Sequence, residues 1–229
     1  MCHRHQGPSV SIAVVLFELG MQQPHVLLSY SSGGLTLLRV AIDRLDVALD
    51  EYAMRFLERT VGLSVSRLMQ SITDQDLSQD PPLIDICYYG FSRSQFVNGD
   101  DLIWVPLYHL LPDQDHREPA ATDSVKAAAH LPPVSDHDLD LLAAALNTLR
   151  RSLDRRPVIE EIEPVAFTLS YLQQRTEMLL GTSLHTQNFR RKILESGFLE
   201  PIDIAVAQSL GRPALLYQVR SSTRGATID

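Results

Sequence analysis

The sequence predicts an α/β (α+β) chain in two parts: a mixed sheet with helices, then a smaller helical unit ending in a β-ribbon. Three observations predict it. Residues 9–106 alternate between short runs rich in Val, Ile, Leu and Phe and one stretch with helical spacing. Residues 112–135 carry Pro112, Pro119, Pro132 and Pro133 in a soft Ala/Asp/Ser background. They read as a linker, because so long a connection is uncommon inside a compact domain. Residues 168–219 then run helix, short connection, helix, ribbon. The expected domains are 1–135, with the linker from about 112, and 136–229.

In chain order, Ser9–Leu19 reads as a buried strand and Pro24–Tyr30 as a second. The turn signal Ser31-Ser-Gly-Gly34 leads into a third, Leu35–Ile42. From Asp46 the period changes. Leu45, Leu49, Tyr52, Ala53, Phe56, Leu57 and Val61 recur at helical spacing, and Gly62 is placed to end the helix. Leu63–Met69, Leu83–Phe91 and Asp101–Pro106 read as further strands. Asp136–Arg151 is a helix with Asp136 as N-cap and Leu139, Leu142, Ala143, Leu146 and Leu149 on one stripe. Thr168 caps a helix through Leu180, with Leu169, Leu172, Leu179 and Leu180 inward and Gly181 as the stop. Thr186 caps a second helix, Gln187–Ser196, which Gly197 stops. Phe198–Pro201 and Ala214–Val219 pair across a turn at Gly211-Arg-Pro213. That is the winged helix-turn-helix order.

The 229 residues are 45% hydrophobic and 21% charged, enough apolar material for a sizeable core. This excludes a disordered chain, a collagen-like chain and a small disulfide scaffold. No apolar run reaches the roughly 18 residues of a membrane helix; the longest, Val10–Leu19, contains Glu18. The start Met1-Cys-His-Arg-His5 leads into no signal-peptide pattern, and Cys2 and Cys87 are the only cysteines. The expectation is a cytoplasmic protein without membrane contact.

The net charge of −8 is unevenly placed: residues 1–148 carry −10 and residues 149–229 carry +2. Such a split suggests modules with different partners. Lysine occurs only at Lys126 and Lys192, and Arg suits bidentate contacts to phosphate and guanine better than Lys. On the helix after Thr186, at 100° per residue, Phe189 and Ile193 share one side, with Leu194 at its edge. Gln187, Asn188, Arg191 and Lys192 share the other, and Arg190 lies between Ile193 and Leu194. A recognition helix presents such a face to the major groove, where Arg reads guanine, Asn and Gln read adenine, and Lys holds phosphate. A plain solvated face has the same composition, and the ribbon that follows favours the first reading. Arg212 at the ribbon turn, with Arg220 and Arg224 after it, can supply phosphate contacts.

Three blocks carry a family resemblance: Phe167-Thr-Leu-Ser-Tyr-Leu-Gln173, Asn188-Phe-Arg-Arg-Lys-Ile-Leu-Glu-Ser-Gly-Phe-Leu-Glu-Pro201 and Gly211-Arg-Pro-Ala-Leu-Leu-Tyr217. In this order they resemble the C-terminal winged helix of the Nudix-related transcriptional regulators, the NrtR-type repressors of NAD metabolism. The resemblance implies a Nudix-like sensor in residues 9–111 and a dimer on a palindromic DNA operator. It also implies an effector related to NAD, such as ADP-ribose.

A Nudix hydrolase carries G-x5-E-x7-R-E-U-x-E-E-x-G-U, whose carboxylates hold divalent metal beside a pyrophosphate. Aligned on Arg55–Leu63, the chain matches at Arg55, Leu57, Gly62 and Leu63. The opening Gly becomes Ala41, and the four Glu positions become Val47, Phe56, Arg59 and Thr60. Leu38-Arg-Val-Ala41 replaces the Leu-Pro-Gly-Gly turn of the family. The frame remains without the chemistry, so no catalytic residue, metal or cofactor is expected. Arg39, Arg55 and Arg59 become candidate ligand-binding residues, able to neutralise a phosphate directly. A solvated helix face is the plainer reading of Arg55 and Arg59.

Cys2, His3 and His5 look like a metal cluster but have no partner pair elsewhere. His109, His116, His130 and His137 surround the linker without ligand spacing and are expected in solvent. Cys87, Trp104, Tyr88 and Tyr89 are expected in the core, although the aromatics can also stack an adenine. The sequence reads as a regulator, expected to repress, whose inactive Nudix-like domain senses a metabolite. Thr186, Gln187, Asn188, Arg190, Arg191, Lys192 and Arg212 are its candidate DNA contacts. A Nudix-type hydrolase of nucleoside diphosphate compounds and a protein-docking module are the alternatives.

Overall fold

A computed structural model describes residues 8–19, 23–43, 46–62, 65–78, 80–93, 97–112, 131–162, 166–206 and 214–220. The chain divides into two compact units, Met1–Arg151 and Ser152–Asp229.

The first unit is built on strands β1 (Ser9–Glu18), β2 (His25–Ser31), β3 (Gly34–Ala41), β4 (Met69–Asp76), β5 (Leu83–Ser92) and β6 (Leu102–Pro106). They form one sheet in the order β4-β5-β1-β3-β2-β6. β1 and β5 run parallel, from Ser9 beside Leu83 to Glu18 beside Ser92, and the other pairings are antiparallel. The mixed sheet expected from sequence is therefore present. β1 lies inside the sheet, which is why eight successive residues from Ser11 to Glu18 are buried.

Helix α1 (Leu49–Val61) covers one face. Its Ala53, Leu57 and Val61 pack with Ile12, Val14, Leu16, Leu27 and Leu38. Gly62 ends it at φ 68, a left-handed conformation that suits glycine. A short helix α2 (Leu107–Leu110) follows β6. Helix α3 (Asp136–Arg150) packs against β4 and β5.

Four expectations need correction here. The strand expected at Leu63–Met69 runs instead from Met69 to Asp76. Its sequence MQSITDQD is polar because β4 is an edge strand paired only with β5, while Val65 and Leu68 join the α1 core cluster. The cap of α3 is Ser135, whose hydroxyl accepts from the Asp138 amide, not Asp136. Its buried stripe is Asp138, Leu141, Leu142, Ala145, Leu146 and Leu149, turned from the expected one because Asp138 faces inward. The helix lies in the first unit rather than opening the second, since that stripe is spent on the sheet.

The second unit holds α4 (Arg156–Ile162), β7 (Phe167–Thr168), α5 (Leu169–Leu180), α6 (Thr186–Glu195), β8 (Leu199–Val206) and β9 (Ala214–Val219). Its three strands pair as β7-β9-β8. Thr168 caps α5, its side chain accepting from the Tyr171 amide, and Gly181 closes it at φ 68. Ile159, Phe167, Leu169, Leu172, Ile193 and Leu199 form one core, with Phe189 and Tyr217 packed on it. Helix-turn-helix plus ribbon is the expected winged-helix order. β7 and α4 were not expected; two and seven residues are too short to show a period.

Candidate functional site

In the second unit, α6 buries Ile193 and half-buries Phe189, which fixes the rotation of the helix. The opposite side is then forced outward. Thr186, Gln187, Asn188, Arg190, Arg191 and Lys192 are all exposed. Arg190 Nη2 donates to Ser170 Oγ on α5 at 3.1 Å. Lys192 Nζ pairs with Asp154 at 2.9 Å, with both side chains well exposed. Gln187, Asn188 and Arg191 complete a polar face that can meet an edge of DNA bases. Thr186 is the first residue of the helix and not its cap; the cap position is His185, without a side-chain cap bond. The Thr186 hydroxyl instead accepts from Gln173 Nε2 of α5 at 3.3 Å. Arg212 lies outside the described residues, as do Arg224, Cys2, His3, His5, His116 and His130. Arg220 closes the ribbon, its amide donating to the Phe198 carbonyl at 2.8 Å.

In the first unit, a cleft of about 350 Å³ runs beside α1. Val40, Asp46, Tyr52, Arg55, Phe56, Arg59 and Thr60 line it. Residues 52, 55, 56, 59 and 60 form a single helical stripe. Tyr52 is anchored by its hydroxyl to the Ala41 carbonyl at 3.2 Å. Arg55 Nη2 pairs with Glu51 at 2.5 Å, one turn back, at the surface. Arg55 and Arg59 are thus brought to one cleft.

Arg39 is not brought there. Leu38 and Val40 pack with α1, so Arg39 between them points to the other face. Its guanidinium holds Asp85 and Asp138 at 2.8 and 2.6 Å. Ser11 also donates to Asp85. His137 Nε2 lies 3.0 Å from Asp85 Oδ2, which places His137 in this cluster rather than in solvent. Burial works against the Asp85 charge, but hydrogen bonds from Arg39 and Ser11 and the guanidinium charge hold its pKa below the usual carboxylate value. The Arg39 pKa is raised, the two carboxylates outweighing burial. A second cleft of about 260 Å³ opens over Arg39, Thr36, Ser135 and Asp138. Sequence reading missed this cluster.

Cys87 is fully buried, and burial pushes its thiol pKa up to about 12. Tyr88 and Tyr89 are buried and Trp104 packs on the α1 core, so these aromatics stand in the core as expected. Among the described residues no group of three or more His, Cys, Asp or Glu can hold a metal ion. No helix among them is long and apolar enough to cross a membrane.

Residues 161–219 match the family model of the NrtR DNA-binding winged helix domain. The ADPR responsive transcriptional repressor NtrR of Acinetobacter baylyi is 33% identical over 103 residues. That match covers 45% of this chain and 40% of the repressor, so it spans well under half the length of that relative. The crystal structure of Shewanella oneidensis NrtR complexed with a 27mer DNA is similar in fold at TM-score 0.70 and 23% identity, over 92% of this chain and 93% of that one. A MutT/nudix family protein from Enterococcus faecalis is similar at TM-score 0.66 and 14% identity, over 95% and 90%. Fold and site define a mixed α/β unit, similar in fold to a MutT/nudix family protein, followed by a winged helix-turn-helix unit. Residues 161–219 are similar to the NrtR winged helix domain, and the fold over most of the chain is similar to that of Shewanella NrtR.

Proposed function

We propose that the chain is a DNA-binding transcriptional regulator that represses its targets, working in the cytoplasm as a homodimer on a palindromic operator. The observation that carries this reading is α6, which turns Gln187, Asn188, Arg191 and Lys192 outward from a packed winged-helix core. Arg191 is the base-reading residue of that face, and Arg190, Lys192, Thr186 and Arg212 contact the backbone. Gln187 and Asn188 add adenine readout.

The Nudix-like domain serves as the sensor, and its ligand is a metabolite such as ADP-ribose. The name of the Acinetobacter relative supports this choice. Hydrolysis is absent in this reading, because Val47, Phe56, Arg59 and Thr60 replace the four carboxylates. Arg55 and Arg59 bind the ligand, while Arg39 serves the sensor by fixing α3 to the sheet. Control works by population shift. The dimer samples arrangements in which its recognition helices match, or fail to match, major grooves about 34–36 Å apart. A ligand that prefers one arrangement moves operator affinity by its differential affinity and no more.

The test is selection of genomic fragments by the full chain at about 0.15 M salt, since salt sets the non-specific background. The winning fragment is then titrated with and without ADP-ribose. A palindromic winner bound far above bulk DNA, with affinity moved by ADP-ribose, is the expected result. No enriched fragment overturns the regulator reading, and turnover of ADP-ribose with Mg²⁺ overturns the inactive-sensor reading.

A further inference from the structure

The Nudix fold implies a divalent metal held by carboxylates on the helix equivalent to α1, and the residues of this cleft do not fit one. Asp46 is the single carboxylate among its lining residues, set against the guanidinium groups of Arg55 and Arg59. Phe56, at a position where the motif has Glu, is an apolar wall packed on the core. Glu51 and Glu58 lie off the lining stripe, turned roughly 110–130° from its centre at 100° per residue. Glu51 is moreover held by Arg55. A cation brought here would meet two like charges and one carboxylate, and hard divalent ions need several oxygen ligands.

The same residues suit an anion. Arg59 is exposed and forms no ion pair among the described residues. Arg55 is half-exposed, and among the described residues its partner is the surface carboxylate of Glu51. Such a surface pair contributes little, so a doubly charged phosphate group can displace it. Thr60 supplies a hydroxyl on the same stripe, and Tyr52 stands as a fixed ring beside it. We infer that this cleft binds a pyrophosphate-bearing ligand without a divalent metal, with Arg59 and Arg55 supplying the positive charge that metal supplies elsewhere on this fold. The inference rests on the sensor reading above and adds how the site holds charge. Guanidinium groups hold phosphate through paired, charge-assisted hydrogen bonds, a geometry a spherical ion does not impose.

The experiment is calorimetric titration of the full chain with ADP-ribose and, separately, with inorganic pyrophosphate. Each is run in EDTA and in millimolar Mg²⁺. The expected result is binding in EDTA with an affinity within about twofold of that in Mg²⁺. Arg59→Glu should weaken binding roughly tenfold or more, the size of a lost charged hydrogen bond, and Arg59→Lys should keep part of it. Arg59 is exposed, so an unchanged melting temperature shows that the variants fold. Binding only in Mg²⁺ overturns the metal-free site and leaves the sensor standing. Metal-free binding that ignores Arg59→Glu overturns the assignment to this cleft. Binding in neither buffer removes the sensor reading and this inference with it.

Discussion

The Arg39 guanidinium forks onto the fully buried carboxylate of Asp85, with Nε 3.0 Å from Oδ1 and Nη2 2.8 Å from Oδ2. Nη2 also reaches Asp138 at 2.6 Å, so one side chain ties β3, β5 and α3 together. Thr36 adds a bond to Asp138 at 2.8 Å. Breaking a buried pair from one side leaves a charge without its partner. Asp85→Asn should therefore destabilise the first unit by roughly 3 kcal/mol, read by chemical denaturation at pH 7.

The same pair gives an acid sensitivity of known sign. The folded Asp85 pKa is below its unfolded value of 3.8. Its ionised form is thus favoured by folding, and its contribution is complete above that unfolded value. The contribution falls away as pH drops through about 4 toward the lower folded pKa. Melting curves from pH 6 to pH 3 should show a loss of stability that Asp85→Asn reduces. An unchanged pH dependence in the variant would show that other carboxylates carry the acid transition.

Arg191 is exposed on α6, opposite the buried Ile193. Its replacement by Ala should leave melting unchanged. On the selected operator it should lower affinity by about 1–3 kcal/mol and relax preference at one base pair. Lys192→Ala should act differently. It should weaken all sequences about equally and reduce the salt slope by about one ion. Its ion pair with Asp154 is exposed and does not hold the helix. Binding measured at several salt concentrations on specific and scrambled DNA separates the two.

The elements legible in the sequence are those whose burial is periodic or continuous. β1 is apolar without a break from Ile12 to Phe17 because it is covered on both faces. α1, α5 and α6 show a 3.6-residue period because each has one wet side. β4 was not legible, since an edge strand with sequence MQSITDQD carries neither pattern. The Arg39 cluster was missed because its partners lie 46 and 99 residues away in sequence. A signal was present: Asp85 stands inside Leu83-Ile-Asp-Ile-Cys87 and Arg39 inside Leu37-Leu-Arg-Val40. Charges in strands that are otherwise apolar are seldom buried unless paired. That rule joins the two without naming Asp138, which joins them only because α3 is rotated from its expected stripe.

Ser135 caps α3 by accepting from the Asp138 amide at 3.1 Å. Removing that acceptor leaves an amide of the first turn without its partner. Ser135→Ala should cost about 1 kcal/mol in the first unit, and Ser135→Asp should restore it. The cap also fixes the backbone from which Asp138 reaches Arg39, so Ser135→Ala and Asp85→Asn should not add. A double-mutant cycle in urea, with a coupling of about 0.5 kcal/mol or more, is the expected outcome.

Gln173 links α5 to the connection before α6 and to the first residue of α6. It is buried on α5, and its Nε2 donates toward Leu184 O at 3.1 Å and Thr186 Oγ1 at 3.3 Å. These acceptors are the connection before α6 and the first residue of α6. Glu177, one turn further along α5, accepts from the Leu184 amide at 2.8 Å, so the connection is held at both its carbonyl and its amide. Gln173→Leu keeps the volume and removes the donor, leaving the Leu184 carbonyl without that bond. Such a loss destabilises by about 1–3 kcal/mol. The effect on DNA should exceed the effect on folding at working temperature, because a loosened connection lets the whole polar face of α6 tilt at once. Operator affinity should fall at every base position that α6 reads, in contrast to the single-position effect of Arg191→Ala. If Gln173→Leu leaves the base-preference profile and affinity unchanged at a temperature where the unit is folded, the connection is not what aims the helix.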